Sequence, residues 1–395
     1  MSIPYLEQAK LGRARWFDFV FGGFFILVGW ILAQVLFAMP LEGIASDLGI
    51  ETSSPDEIDR MTDFVEGNPL SVAGVLVSLM GTIIATLFYF ISRSTKDTAS
   101  RVTGVIAMVG VALTVAGVVM FLPFMNFLNE IDGGATLDIL GASAVAYGLI
   151  LLSFGGAILA AWLVQRFIHY RTFTSLITAA ARIRWSRIGW TLLLTWGIYA
   201  VAAFILTSTG STEVYVNPER SRMLPFVIAT LLFIPIQCAA EEVMFRGYFN
   251  QALGRFIPSA LVVFLLTSIA FGALHLANPE IGAAKDAGMF WLVFSGYCLF
   301  GFVLSLMVWI DNGLESAIGV HTANNAWAAI FINYEGSVLP VPGLFLQVSD
   351  PGKDTVAGIG ILLLVLLGVW LTRKPLLGRN EVVVEAKTTA YQPVA

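Results

Sequence analysis

The feature that most constrains this chain is a series of apolar segments, each long enough to cross a lipid bilayer. A spanning α-helix needs about 20 consecutive, mostly apolar residues, and nine or ten segments meet or approach that length. The segments are residues 16–39, 70–91, 102–128, 139–165, 190–208, 224–249, 258–277, 287–310, 314–333 and 355–372. The sequence therefore predicts an all-α fold, a polytopic membrane bundle of about ten transmembrane helices.

The composition agrees with a lipid environment. Of the 395 residues, 57% are hydrophobic and 12% are charged, whereas soluble domains carry about 25% charged residues. No basic patch with interleaved aromatic residues is present, so no nucleic-acid partner is expected. The first apolar run, residues 16–39, is longer than the apolar region of a cleavable signal peptide and is expected to be the first span.

Basic residues are distributed unevenly between the loops of these predicted spans. If the N-terminus lies in the cytoplasm, only five of the 22 Lys and Arg residues fall outside, namely Arg60, Arg220, Arg222, Lys285 and Lys353. Cytoplasmic loops collect Lys and Arg, so this distribution predicts a multi-pass protein of the cell inner (plasma) membrane with both termini cytoplasmic. Segment 314–333 is the least hydrophobic, but without it the basic tail after Thr372 would lie outside.

The positions of the ionisable residues predict three regions. The first four spans hold almost no charge beyond Asp18, so residues 1–189 are expected to form an N-terminal accessory membrane region with a basic interfacial stretch. Residues 190–375 are expected to form the functional core. The short polar segment 376–395 is expected to be a disordered cytoplasmic tail.

The sixth span ends in a cluster of ionisable residues, which are costly to place in a bilayer and therefore indicate function. Glu241 and Glu242 follow a long apolar run, and Arg246 comes one turn later. Glu242 and Arg246 have i,i+4 spacing and are expected to pair on one helix face. Glu241 points about 100° away from Glu242, and a carboxylate without a partner on its own helix suits general-base work on water. Alternatively, the helix has left the bilayer here and these are interfacial charges.

The seventh span carries His275, one turn after Phe271 on an otherwise apolar helix. The hairpin between spans six and seven turns near Pro258, and both Glu241 and His275 lie 17 residues from this proline. Residues at equal distances from the turn of an antiparallel hairpin lie at similar depth, so these two side chains are expected to be level. The structural alternative is an interfacial histidine that is solvated by water.

The ninth span carries His321 and Asn325, which share a helix face at i,i+4 spacing, with Asn324 beside them. Small residues interrupt this helix and permit close packing against its neighbours. Hydrogen bonding between helices is a purely structural alternative for these polar residues. Together with the sixth and seventh spans, however, they predict one polar cluster.

These motifs resemble those of a known family. The run Glu241 to Gly247 resembles the EExxxR motif of the CAAX-processing and bacteriocin-processing (CPBP) intramembrane proteases, which include type II CAAX prenyl endopeptidases. Phe271 to His275 is similar to the FxxxH motif of that family, and His321 to Asn325 is similar to its HxxxN motif. The resemblance covers about residues 224–333 and makes 190–375 the expected protease core.

The resemblance implies an intramembrane endopeptidase that hydrolyses peptide bonds of membrane-associated proteins or peptides. It implies that Glu241 activates the hydrolytic water and that His275 helps to hold this water. It also implies that His321 and Asn325 face the oxyanion of the tetrahedral intermediate, a role that often carries the largest electrostatic contribution to catalysis. The implied supporting residues are Glu242 and Arg246, as a structural pair, and Phe271.

A catalytic metal is the alternative to a metal-free site. One Glu and two His with an open position would satisfy catalytic zinc, and the ligands would be Glu241, His275 and His321. However, no HExxH motif is present, and these candidates come from three separate helices. The family resemblance implies no obligatory cofactor, so we expect none, with Zn as the alternative.

The expected partners are the lipid bilayer and a membrane-associated protein or peptide substrate, while the sequence defines no oligomeric state. Two other functions remain open. A proton-coupled transporter also places Glu and His inside a bundle, and a non-catalytic membrane scaffold or immunity factor would keep the same fold. Clustering of the polar residues at one place favours hydrolysis over a transport pathway.

Overall fold

The computed structural model describes residues 4–51, 55–132 and 134–373, which fold mainly into α-helices. The helices are α1 Pro4–Glu7, α2 Trp16–Ala38, α3 Leu41–Leu48, α4 Pro55–Gly67, α5 Pro69–Ser94, α6 Asp97–Asp132, α7 Ala135–Ala142, α8 Ala144–Ser153, α9 Gly155–Leu163, α10 Thr174–Ile177, α11 Trp185–Ser208, α12 Met223–Glu242, α13 Asn250–Gly254, α14 Ala260–Leu274, α15 Pro279–Asp286, α16 Phe290–Asp311, α17 Glu315–Ile330 and α18 Pro351–Leu371. Short 3₁₀ segments are Gln8–Lys10 and Arg220–Arg222, and π-helical segments are Val164–Ile168 and Val243–Phe249. The strands are β1 Val214–Val216, β2 Ile332–Tyr334 and β3 Phe345–Gln347.

The helices have the lengths and composition of membrane spans. In the described part of the chain, eight candidate spans are long and apolar enough to cross a membrane, or nine if α14 and α15, which meet at a bend of 88°, form one broken span. The protein is thus an all-α, multi-pass membrane bundle. The predicted ninth span corresponds to α17, which has only 16 residues and is not among these candidates. Twelve of its residues are buried, so α17 packs inside the bundle.

The chain divides into two compact units. The smaller unit, Leu41–Ile139, contains the hairpin of α5 and α6. Glycines let these two helices approach closely, since a Cβ on Gly81 would lie 2.4 Å from the backbone nitrogen of Thr114. This is the small-residue packing that membrane helices use where no hydrophobic effect drives their association.

The described residues within Met1–Pro40 and Leu140–Ala395 form the larger unit, which contains all three motifs. Helices α2, α8 and α9 pack in the same unit as the motif helices, and the predicted boundary at residue 189 stays a prediction. Tyr248, just after the first motif, donates a hydrogen bond of 3.0 Å to the carbonyl of Phe19 on α2. Hydropathy identifies spans but not which spans pack together. The predicted tail 376–395 lies outside the described residues.

Several helix ends of the larger unit meet at one end of the bundle. Arg187, at the start of α11, forms an ion pair of 2.8 Å with Asp311, at the end of α16. The same side chain donates to the carbonyl of Thr372, just after α18. The backbone N–H of Leu314 donates a hydrogen bond to the carbonyl of Ile177. The carbonyl of the neighbouring Leu176 accepts a hydrogen bond from the hydroxyl of Tyr5, near the N-terminus. The N-terminal segment and the end of α18 therefore lie at the same end.

Helix α17 connects this end with the opposite one. It starts at Glu315, which pairs with Arg184 at 2.7 Å beside the start of α11. It ends next to β2, which belongs to a three-stranded sheet of order β1-β3-β2. Strand β1 of this sheet follows the end of α11, so the sheet lies at the opposite end of the bundle. A helix of 16 residues is about 24 Å long, so α17 runs between the two ends despite its shortness. That both termini are cytoplasmic remains a prediction.

Candidate active site

The first motif lies where α12 gives way to a π-helical segment. Helix α12 ends with Glu241 and Glu242, and the π-helical segment Val243–Phe249 contains Arg246. Arg246 Nη1 lies 3.0 Å from Glu242 Oε1, and both side chains are almost fully buried. The predicted pairing of Glu242 with Arg246 is therefore present. π-Helical turns inside α-helices often occur at functional sites.

The second motif lies level with the first, as the hairpin spacing predicts. Thr267 on α14 donates a hydrogen bond of 2.7 Å to Asn250, and the Arg246 guanidinium carbon lies 4.1 Å from the centre of the Phe271 ring. In both pairs the two residues lie at nearly equal distances from Pro258, so the pairs fix the register of the antiparallel hairpin that turns there. The Phe271 ring covers the buried guanidinium, a cation–π contact that stabilises a desolvated cation.

The third motif brings His321 between the two glutamates. His321 Nδ1 lies 2.9 Å from Glu242 Oε1, and His321 Nε2 lies 3.7 Å from Glu241 Oε2. Because an ionised carboxylate only accepts, the Nδ1 atom donates in this hydrogen bond. Glu242 therefore does more than pair with Arg246, since it also fixes the orientation of the His321 ring.

Asn325 reaches the site through a residue that the motifs do not include. Asn325 Nδ2 donates to Gln237 Oε1 at 3.0 Å, and Gln237 Nε2 donates to Glu241 Oε1 at 2.5 Å. Gln237 lies one helical turn before Glu241 on α12 and is buried. The asparagine of the third motif and the glutamate of the first are thus connected through one glutamine.

His275 lies at the edge of the cluster, at the end of α14 and just before the 88° bend. Its Nδ1 is 2.8 Å from the carbonyl of Phe271, and its ring stacks on Tyr297 with 4.7 Å between centroids. The Phe271 ring contacts both histidine rings, at 4.6 Å from His275 and 6.1 Å from His321. In the described part of the chain, no hydrogen bond or ion pair joins His275 directly to Glu241.

The cluster combines burial with an unsatisfied carboxylate. Glu241 is 8% exposed, and its Oε2 atom, which faces His321, has no hydrogen-bond partner among the described residues. Glu242 and Arg246 are fully buried, and His321 is 3% exposed. A buried charge is costly unless it is paired and hydrogen-bonded. This arrangement therefore favours a small polar reactant that hydrogen-bonds to Glu241 Oε2.

A metal site would need three of these side chains around one point. Catalytic zinc needs three protein ligands around one point, and no group of three His, Cys, Asp or Glu side chains in the described ranges is arranged to hold a metal ion. The Nδ1 atoms of His321 and His275 bond to Glu242 and to the Phe271 carbonyl, so the Nε2 atoms are the ring nitrogens left for another partner. A site without metal remains the prediction, with Zn on Glu241, His275 and His321 as the alternative.

Sequence reasoning missed Gln237 and Gly301. A signal for Gln237 was present, because a glutamine one turn before Glu241 interrupts an apolar helix. Gly301 on α16 gave no such signal, and its role depends on packing. Its carbonyl oxygen lies 3.4 Å from Arg246 Nε, and a Cβ at this position would lie 2.8 Å from Arg246 Nη2 and 3.2 Å from the Phe271 ring.

Gly301→Ala is expected to displace the Arg246 guanidinium and to weaken its pairing with Glu242. Because the surrounding residues are tightly packed, we expect the protein to lose about 1–3 kcal/mol of stability, the usual cost of overpacking, and to lose activity with it. Thermal unfolding in detergent measures the first effect. The matched control is Gly360→Ala on α18, where an added Cβ meets no atom within 4 Å. Equal unfolding of the two variants would contradict the role of Gly301.

Comparisons with known proteins support the interpretation of the motifs. A family model described as "Type II CAAX prenyl endopeptidase Rce1-like" matches residues 221–327, which include all three motifs. The chain is 31% identical over 245 residues to the uncharacterized protein YyaK of Bacillus subtilis, and the alignment covers 60% of this chain and 80% of that protein. No solved structure matches the chain.

Proposed function

The chain belongs to the Rce1-like family of type II CAAX prenyl endopeptidases, and on this premise we propose that it is an intramembrane endopeptidase in which Glu241 activates the hydrolytic water. The family supports a protease of the CAAX type in general terms. The residue roles and the use of a glutamate are our proposal. The multi-pass fold suits a substrate that is itself associated with the bilayer, either a membrane protein or a membrane-bound peptide.

One observation carries this proposal. Glu241 Oε2 is buried without a hydrogen-bond partner in the described part of the chain and lies 3.7 Å from His321 Nε2. This distance is too long for a direct hydrogen bond. A water molecule that bonds to both atoms satisfies the carboxylate oxygen and lies where a base can deprotonate it.

Charge balance supports an ionised Glu241 beside a protonated His321. Glu242 and Arg246 neutralise each other at 3.0 Å, so the remaining pair determines the net charge of the buried cluster. If Glu241 is a carboxylate and His321 an imidazolium, the cluster is neutral, and burial of uncompensated charge is avoided. In this state Glu241 is ready to accept a proton, and His321 Nε2 carries a proton that it can donate.

The reaction then follows from these positions. Glu241 accepts a proton from the water while the water oxygen attacks the scissile carbonyl carbon. The carbonyl oxygen becomes an oxyanion that accepts hydrogen bonds from His321 Nε2 and Asn325 Nδ2, and preorganised donors of this kind lower the barrier strongly. The C–N bond breaks when protonated Glu241 donates its proton to the leaving amine. The cluster remains neutral when the oxyanion is counted, and Glu241 returns to its starting state.

His275 is proposed to hold the water from the rim of the site. A backbone carbonyl can only accept, so His275 Nδ1 donates to the Phe271 carbonyl at 2.8 Å. In the neutral ring, Nε2 then has a free lone pair that accepts a hydrogen bond from water. The stacking of the ring on Tyr297 restricts its rotation and therefore favours this orientation.

We propose that catalysis needs no bound metal, since the donor atoms around Glu241 form no three-ligand set. Incubation of the purified protein with a strong zinc chelator is expected to leave the rate of peptide cleavage unchanged. The measurement compares initial rates with and without chelator, and then after addition of Zn²⁺. Loss of activity in the chelator that Zn²⁺ restores would contradict a metal-free mechanism.

Proteolysis by purified protein in liposomes tests the proposed function. A library of membrane-anchored peptides, half of them prenylated near the C-terminus, supplies the probes, and mass spectrometry identifies any products. Cleavage by wild type but not by His275→Ala or Glu241→Gln supports the proposal. Equal product yields from wild type and both variants would refute it, as would an intact library.

A further inference from the structure

A continuous series of side-chain hydrogen bonds leads from Glu241 to helix α11. Gln237 Nε2 donates to Glu241 Oε1 at 2.5 Å, and Asn325 Nδ2 donates to Gln237 Oε1 at 3.0 Å. Asn324 Nδ2 donates to Asn325 Oδ1 at 3.0 Å. Tyr199 Oη, on α11, donates to Asn324 Oδ1 at 2.8 Å. Five polar side chains on three helices are thereby joined.

The direction of every bond in this series follows from the charge of Glu241. An ionised carboxylate only accepts, so Gln237 must turn its NH₂ group towards Glu241. The carbonyl oxygen of Gln237 then needs a donor, which Asn325 supplies with its own NH₂ group. Asn324 donates in the same way to the carbonyl oxygen of Asn325, so the carbonyl oxygen of Asn324 needs a donor as well. A phenolic hydroxyl is such a donor, and Tyr199 provides it.

We infer that Gln237, Asn324 and Tyr199 form a positioning relay that orients the side-chain amide of Asn325 towards the oxyanion of the substrate. This inference rests on the proposed function. The three residues are positioning residues and not catalytic ones, since none of them is assigned a contact with the reacting atoms.

The relay matters because an asparagine side chain has two nearly isosteric ends. The NH₂ group of Asn325 has two N–H donors. One of them donates to Gln237, so the second is left for the oxyanion. If the amide rotated by half a turn, its carbonyl oxygen would face the developing negative charge and repel it. Hydrogen bonds to both ends of the Asn325 amide prevent this rotation. The bond to Gln237 also connects Asn325 with the general base, because Gln237 donates to Glu241.

Tyr199→Phe separates the relay from simple packing. The ring of Tyr199 lies edge-on to the ring of Trp327, with 5.7 Å between centroids, and phenylalanine keeps this contact while it removes the hydroxyl. We expect kcat to fall by about three- to tenfold, the loss that corresponds to one neutral hydrogen bond, with KM unchanged. Gln237→Leu removes a hydrogen bond to a charged group and is expected to lower kcat by about 10- to 100-fold.

A double-mutant cycle then tests whether Tyr199 acts through Asn325. Residues that act as one unit show non-additive effects, so Tyr199→Phe is expected to cause no further loss when it is added to Asn325→Ala. The matched control is Tyr215→Phe, which removes a hydroxyl from an exposed tyrosine on β1 and is expected to leave kcat unchanged in both backgrounds. An equal fractional loss from Tyr199→Phe in both backgrounds, or no loss in either, overturns the relay.

A spectroscopic measurement tests the relay without any substrate. In protein with ¹⁵N-labelled Asn and Gln side chains, the Gln237 amide signal is identified by its loss in Gln237→Leu. Tyr199→Phe is expected to shift this signal, although Tyr199 and Gln237 are separated by two intervening side chains. An unshifted Gln237 signal overturns the relay whatever the protease assay shows. Equal cleavage by wild type and Glu241→Gln instead refutes the proposed function.

Discussion

Glu241→Gln is expected to lower the rate of peptide cleavage by about 10²- to 10⁴-fold, the contribution of a well-positioned general base. The amide has nearly the same shape as the carboxylate, and its oxygen still accepts the hydrogen bond of Gln237, but it cannot take a proton from water. The effect is expected in the chemical step. Single-turnover cleavage of a membrane-anchored fluorescent peptide in liposomes measures it.

Two controls make this result specific. Glu219→Gln removes a carboxylate from an exposed ion pair with Arg222, and exposed pairs contribute little to stability, so neither rate nor stability is expected to change. Thermal unfolding of Glu241→Gln, measured on the same preparation and at the same temperature as the cleavage assay, separates a chemical defect from misfolding. A cleavage rate for Glu241→Gln close to that of wild type would eliminate Glu241 as the base.

Glu242→Leu is expected to destabilise the protein by about 3–5 kcal/mol, the cost of removing one partner from a buried ion pair. The Arg246 guanidinium would remain buried beneath Phe271 without a carboxylate. His321 Nδ1 would also lose its acceptor. Denaturant unfolding in detergent, followed by circular dichroism, measures the change.

The double variant Glu242→Leu with Arg246→Met separates the structural role of this pair from its role in catalysis. A buried ion pair replaced by apolar residues of similar size is often as stable as the original, so stability is expected to return towards that of wild type. Activity is not expected to return, because the His321 ring still lacks the carboxylate that orients it. Additive losses of stability from the two substitutions, or recovery of activity in the double variant, would contradict this division.

The parts of the site that depend on local spacing were predictable from the sequence. The i,i+4 spacing of Glu242 and Arg246 predicted their contact, which is present at 3.0 Å. The equal distances of Glu241 and His275 from Pro258 predicted a register that the Thr267–Asn250 hydrogen bond fixes in the structure. Helix geometry determines both relations, so no knowledge of the other helices was needed.

Other parts depend on contacts between distant segments. The hydrogen bond of His321 with Glu242 joins residues 79 positions apart, and no spacing rule states which nitrogen of the ring meets which glutamate. The place of α17 in the bundle also depends on such contacts, because this helix is too short and polar to be counted as a span by hydropathy and is identified by its burial. The bend of 88° after α14 likewise follows no strong sequence signal other than Pro279.

The central claim is that Glu241 activates a water molecule for peptide hydrolysis while His321 stabilises the oxyanion that forms. The most direct test is cleavage of membrane-anchored peptides in heavy-oxygen water by purified wild type, Glu241→Gln and His321→Ala, followed by mass spectrometry of the products. Wild type is predicted to place one heavy oxygen atom in each new carboxyl group, and both variants are predicted to give almost no product. Labelled product formed at the same rate by all three proteins would contradict the claim.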